Sequence, residues 1–253
     1  MTPLDALCPA PFHTLPDADR ARVLNRLADT ELFVALAEEP RGDRVRLHLF
    51  AFDGSQTGIA ADSEDRLASF FGGPVAYAAL PGRVLAAMLS AEGVALTVNP
   101  RQRSEMMLDP ATLGWLAEAL SSAPQEERAA SAYLAAPSPE MVAALAEPLA
   151  TRLADMTGLA ESAALVSARW PDGAQGHLIV VTGAPPPRHK VIAKALAEMI
   201  AFLPPLPDAC DVAFDLKLPP NAPVIRAERN APAAPPALRA PGSDPDKPPI
   251  LRF

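Results

Sequence analysis

Apolar residues along the first part of the chain recur with two periods. Val23, Leu24, Leu27 and Ala28 fall three and four apart, which predicts a helix over 17–29 with one buried face. Asp17 or Asp19 can accept the N–H groups of its first turn. Residues 31–37 are almost continuously apolar and predict a strand. Val45, Leu47, Leu49 and Ala51 then alternate with Arg46, His48, Phe50 and Phe52, the period-two pattern of a half-covered strand, after a turn at Pro40, Gly42 and Asp43. Asp53-Gly54 predicts a tight hairpin, because glycine tolerates the positive φ such a turn requires, with the chain returning as a strand over 56–60.

Asp62 or Ser63 caps a helix over 63–71 that Gly72-Gly73 stops. A strand over 75–80 follows, and Pro81 suits the first turn of a helix that runs to Ala91 and stops at Gly93. Residues 94–98 form a strand ended by Asn99-Pro100. Asp109-Pro110 opens a helix on which Leu113, Leu116, Ala117 and Leu120 share a face. Strands alternating with helices make 17–121 a mixed α/β domain, preceded by an extension over 1–16.

The stretch 122–130 is polar, with Pro124, Gln125, Glu126 and Glu127, and reads as a linker to a second unit over 131–230. That unit begins with a short strand at 132–134. Ser138-Pro139 caps a helix carrying Val142, Leu145, Leu149, Leu153 and Met156 on one face, which Pro148 should kink or restart. Strands over 163–170 and 177–182 flank a turn at 171–173. Pro185-Pro186-Pro187 leads into a helix with Val191, Ile192, Leu196 and Ile200, and 212–218 alternates as a last strand. The order β-α-β-β-α-β matches a ferredoxin-like arrangement. The fold class is therefore α+β: two small domains with mixed sheets flanked by helices. Each has its own amphipathic set, so separate folding is expected. Residues 231–253 are Pro-rich and predict a disordered or polyproline-like tail.

Charge narrows the partners. Against 22 basic residues stand 30 acidic ones, a net of −8. Nucleic-acid and membrane surfaces both need a local cation excess, so neither is expected. Cys8 and Cys210 are the only cysteines, too few for a disulfide framework or a four-cysteine zinc site. The N-terminus shows no basic stretch followed by an apolar one, so the expectation is a cytoplasmic protein.

Several of these segments resemble one family. Residues 31–37, the helix over 63–71, the strand over 75–80, the Pro81-Gly82-Arg83 helix start and the ending Val98-Asn99-Pro100 are similar to the N-terminal domain of the SseB family. Residues 131–230 resemble that family's C-terminal domain in order and spacing. The resemblance implies a bacterial protein. The family carries no established catalytic residues to transfer.

The chain has no GxGxxG, GxxxxGK[ST], GxSxG, HExxH or CxxC motif. His13, His48, His177 and His189 lack a second ligand at metal spacing, so no metal or cofactor is expected. Three features remain as candidates. Arg188, His189, Lys190 and Lys194 sit at a helix start, where N–H groups and cations together could hold a phosphate or carboxylate. Arg101 and Arg103 follow Asn99-Pro100 at the C-terminal end of a strand, where α/β sheets place ligands. Ile250, Leu251 and Phe253 form an apolar tip that could dock on a partner. The leading expectation is a non-catalytic binding or regulatory protein for a protein partner or a small ligand. An enzyme or accessory subunit handling a small anionic metabolite such as an amino acid is the alternative. A third reading makes the second domain a homodimerisation module through an exposed sheet edge.

Overall fold

A computed structural model describes residues 1–39, 45–52, 54–121 and 132–226. The turn at 40–43, Asp53, the linker over 122–130, and the tail with its Ile250, Leu251 and Phe253 tip lie outside the described residues.

The first half runs α1 (Pro3–Leu7), α2 (Asp17–Asp29), β1 (Glu31–Ala35), β2 (Leu49–Phe52), β3 (Ser55–Ala61), α3 (Glu64–Phe71), β4 (Tyr77–Pro81), α4 (Gly82–Ala91), β5 (Ala95–Val98), β6 (Met106–Leu108) and α5 (Pro110–Ser121). Its sheet has the order β4-β1-β3-β5-β6, with β2 also paired to β3. β3 and β5 are parallel; the other pairs are antiparallel. The β2–β3 hairpin closes at Gly54, whose φ of 78° needs glycine. Only the second part of the predicted 45–52 strand is continuous: Leu47 makes a single bridge to Leu36, and Val45 is exposed.

Two elements are additional to the sequence reading. In β6 buried Met106 and Leu108 flank exposed Met107, a pattern too short to show a period. α1 is closed by a capping box, in which Thr2 and Asp5 satisfy each other's backbone N–H. Leu4, Cys8, Phe12 and Leu15 join the first hydrophobic core, so residues 1–16 are built into the domain. That core fills the space between one sheet face and α1, α2, α4 and α5; each fully buried Leu there stabilises by about 1.5–3 kcal/mol. The opposite face is covered by α3, with Leu67 packed near Ile59 and Ala61. At the α2–α4 junction an ideal Cβ on Gly82 would lie 2.0 Å from the Leu27 carbonyl oxygen, so only glycine fits.

The second half runs β7 (Tyr133–Ala135), α6 (Pro139–Asp155), β8 (Ser162–Arg169), β9 (Gln175–Thr182), α7 (His189–Ala201), β10 (Cys210–Phe214) and β11 (Val224–Arg226). The element order is the expected one with β11 added, but the pairing is not ferredoxin-like. The order is β10-β9-β8-β11, with β7 on β8. β9 and β10 lie side by side and parallel, joined by the α7 crossover, rather than separated by another strand. β10 covers 210–214 only, because Asp215 turns the chain at a φ of 53°. α6 and α7 pack on one sheet face through Leu145, Leu149, Ile192 and Leu196. α6 runs through Pro148 without a break.

The halves are not independent. Phe202, at the C-terminal cap of α7, is 3 % exposed and belongs to the first core. Trp115 of α5 meets it edge-on at 5.4 Å. Among the described residues no helix is long and apolar enough to cross a membrane.

Candidate functional site

Between the halves, α2 and α6 face each other across ion pairs rather than apolar contacts. Arg22 donates to Glu147 at 2.9 Å and Arg26 to Asp155 at 3.0 Å. From the other side, Arg152 donates to Asp29 at 2.7 Å and to Asn25 Oδ1 at 2.6 Å. Asp29 also receives Arg83, which in turn binds Glu198 of α7 at 3.0 and 3.1 Å. Burial pushes the Asp29 carboxyl up, but the hydrogen bonds from Arg152 and Arg83 outweigh it and hold Asp29 below the usual carboxylate range. Hydrogen bonds to Glu198 and Asp29 raise Arg83 against its own desolvation.

These long side chains bridge a gap that apolar residues do not fill. The result is a cleft of about 300 Å³, at the small end for ligand sites. Pro3, Ala6 and Leu7 of α1 and Met199, Phe202 and Leu203 at the end of α7 line it along with the ion pairs. Asn25 lines it as well, with its Nδ2 buried and without a hydrogen-bond partner.

The sequence-predicted candidates lie elsewhere. Arg101 takes a left-handed backbone (φ 62°), lays its guanidinium 5.3 Å from the Phe70 ring centre, and donates its N–H to Glu105. Arg103 donates through Nε to the Cys8 carbonyl at 2.7 Å. The two arginines therefore hold the loop and α1 in place. Asn99 explains the sharp Val98-Asn99-Pro100 turn. It is fully buried at a φ of 50°, accepts from the Asp62 N–H (2.9 Å) and donates to Ser104 (2.9 Å). Ser104 passes the chain of bonds to Asp5 at 2.7 Å, and Arg66 joins Asp5 to Asp62. The hydrogen bond from Arg66 outweighs burial and keeps Asp5 far below the usual carboxylate range.

At the start of α7 the four cations do not converge. Lys194 points to the first half, donating to the Leu120 carbonyl at 3.1 Å as a cap on α5. His189 stacks on Phe214 with ring centres 3.9 Å apart and lies 3.0 Å from the Ala184 carbonyl. Arg188 and Lys190 remain exposed on the 3-10 turn and first helical turn. His48 stacks on Phe50 at 4.5 Å. Among the described residues no group of three His, Cys, Asp or Glu side chains could hold a metal ion.

Fold and site together define a mixed α/β protein of two sheet-and-helix halves with a charged-rim, apolar-floored cleft between them. Residues 13–115 match the family described as SseB protein N-terminal domain, and over that stretch the chain is similar to that domain. A search of curated proteins and a search of solved structures each returned no match.

Proposed function

We propose that this protein is a non-catalytic binding protein that takes a small organic ligand in the cleft between its halves. The observation that carries the reading is the cleft's construction: an apolar floor under walls whose three arginines are each matched by a carboxylate. A general base or nucleophile needs a neighbour that can exchange a proton with it. Here the charged groups are tied to one another, and what they offer a ligand is shape, apolar surface and hydrogen bonding. The free thiols Cys8 and Cys210 fit a reducing, cytoplasmic setting. The order and spacing of residues 131–230 support reading them as the family's C-terminal domain.

A fragment screen of small amphipathic molecules on the full chain, observed by protein NMR, tests this. Hits should move the signals of Asn25, Thr151 and Leu203 and vanish in Thr151→Trp, which sets an indole in the space. Hits confined to the Arg101–Arg103 loop or to the start of α7, or unaffected by Thr151→Trp, would overturn the assignment.

A further inference from the structure

The second sheet ends on β10, which pairs with β9 on one side. The His177 N–H donates to the Ala209 carbonyl at 2.8 Å and the Asp215 N–H to the Val181 carbonyl at 3.0 Å. A parallel ladder engages every second residue of a strand, so between these ends Asp211 and Ala213 also bond to β9. Cys210, Val212 and Phe214 turn their N–H and C=O groups the other way, and among the described residues no strand pairs with that side. An open edge is a template for another strand, and monomeric proteins blunt it with proline, lysine or a bulge. β10 carries no proline or lysine and keeps an unbroken register.

Two properties of this edge fit a second copy of the chain. The first is symmetry. The outward residues are centred on Val212. Laid antiparallel on its own copy about a two-fold axis at that residue, β10 sets Val212 against the partner's Val212 and Cys210 against the partner's Phe214. Every outward N–H then meets an outward C=O. These side chains lie on the helix-covered face and are partly buried, so the cross-strand pairs join apolar to apolar. Asp211 falls opposite the partner's Ala213, so like charges do not meet head-on.

The second is charge. His189 stacks on Phe214 with ring centres 3.9 Å apart, which holds exposed Arg188 beside the C-terminal end of β10. Asp215, at the same end, lies 4.0 Å from His189 of its own chain. Exposed Asp208 and Asp211 lie toward the N-terminal end. Antiparallel pairing carries the arginine end of each copy to the acidic end of the other. It also gives a use to cations at the start of α7, where the helix dipole favours acids.

We propose that the outer edge of β10 is a homodimer surface. Two copies join antiparallel at Val212, the two second-half sheets become one, and Arg188 of each copy faces Asp208 and Asp211 of the other. The cleft reading stands or falls separately, since no cleft residue takes part.

A five-residue strand makes a small interface, so sedimentation equilibrium of the full chain should show monomer and dimer exchanging with a Kd on the order of 10–100 μM, weaker by about threefold or more at about 0.5 M salt. In amide hydrogen exchange, Cys210, Val212 and Phe214 should gain protection as concentration rises, while Asp211 and Ala213 are protected throughout. Val212→Pro removes an N–H that β9 does not use, which an edge strand tolerates, and should leave a cooperative melting transition and a monomer. Asp211→Lys should weaken the dimer about fivefold or more, and adding Arg188→Glu should restore it. A chain still monomeric at about 500 μM, a dimer that Val212→Pro leaves intact, or a dimer in which the Val212 N–H exchanges freely overturns the proposal. If Val212→Pro does not fold, the exchange pattern and the charge reversal decide, and a dimer indifferent to Asp211→Lys overturns it.

Discussion

Arg152→Met should be the most damaging single change in the contact between the halves that leaves both apolar cores intact. Arg152 is 8 % exposed and holds Asp29 and Asn25 at 2.7 and 2.6 Å. Methionine keeps much of its length and removes both bonds. Breaking a buried ion pair from one side costs about 3–5 kcal/mol when the other charge is stranded. Asp29 is not fully stranded, since Arg83 still reaches it and its side chain is about one-third exposed. The expected loss is therefore about 2–4 kcal/mol, and the expected fall in melting temperature about 4–16 °C. Urea denaturation at pH 7, followed by circular dichroism and tryptophan fluorescence, reads it directly.

The pH dependence has a definite sign. Asp29 lies below its unfolded value of about 3.9, so the stability it contributes is full above about pH 5 and is lost as pH falls through that range. The gap between wild type and Arg152→Met should be constant from pH 6 to 8 and narrow below pH 5. A double-mutant cycle with Asp29→Asn should give a coupling above about 1 kcal/mol. A loss below about 0.5 kcal/mol, the value of an ordinary exposed pair, would refute the argument that these ions fasten the halves together.

Three further predictions follow from the cores and the buried network. Phe202→Ala should cost about 3–5 kcal/mol and shift the unfolding of both halves together, measured by tryptophan fluorescence beside circular dichroism; a loss confined to the second half would contradict its place in the first core. Asp5→Ala should cost about 2–4 kcal/mol at pH 7, because it takes from Arg66 one of its two carboxylate partners, leaves Ser104 without its acceptor and opens the cap of α1. That cost should shrink as pH falls through about 4, where the unfolded carboxyl protonates, and an undiminished cost at pH 3 would count against the pairing. Burial pushes Cys8 up, and burial with nearby Asp211 pushes Cys210 up to about 12, so both thiols should label slowly with an aromatic disulfide at pH 8 and rapidly in urea; fast labelling of Cys210 in the native protein would contradict its burial.

The fold was legible wherever apolar periodicity ran over a full element. α2, α4, α5, α6 and α7 follow their 3.6-residue stripes, and Gly54 stands where the β2–β3 hairpin closes. β6 and β11 escaped because three residues carry no measurable period. α1 escaped because its signal lies in a Thr2–Asp5 capping box of five helical residues. The ferredoxin-like expectation failed at pairing: element order does not say whether β10 lies beside β9 or beyond another strand, and α7 is long enough for the direct parallel crossover.

The site was less legible than the fold. Sequence reading seeks residues close in the chain, such as Arg101 with Arg103, whereas the cleft joins Arg22, Asn25 and Asp29 to Glu147, Arg152 and Asp155 across more than a hundred residues. One signal was present. On α2, Arg22, Asn25, Arg26 and Asp29 recur three and four apart, a polar stripe beside the apolar one. On α6, Glu147, Thr151, Arg152 and Asp155 do the same. Two such stripes on a negatively charged chain pointed to helices meeting through charge, though not to which helix each would meet.

A crystal structure of the full chain with an amphipathic hit from the fragment screen at saturating concentration tests the central claim most directly. The account predicts the fragment in the cleft, its apolar part against Phe202 and Leu203, and the Arg152–Asp29 pair unbroken. An empty cleft with the fragment ordered at another surface, or a cleft in which the ligand has displaced Arg152 from Asp29, would contradict it.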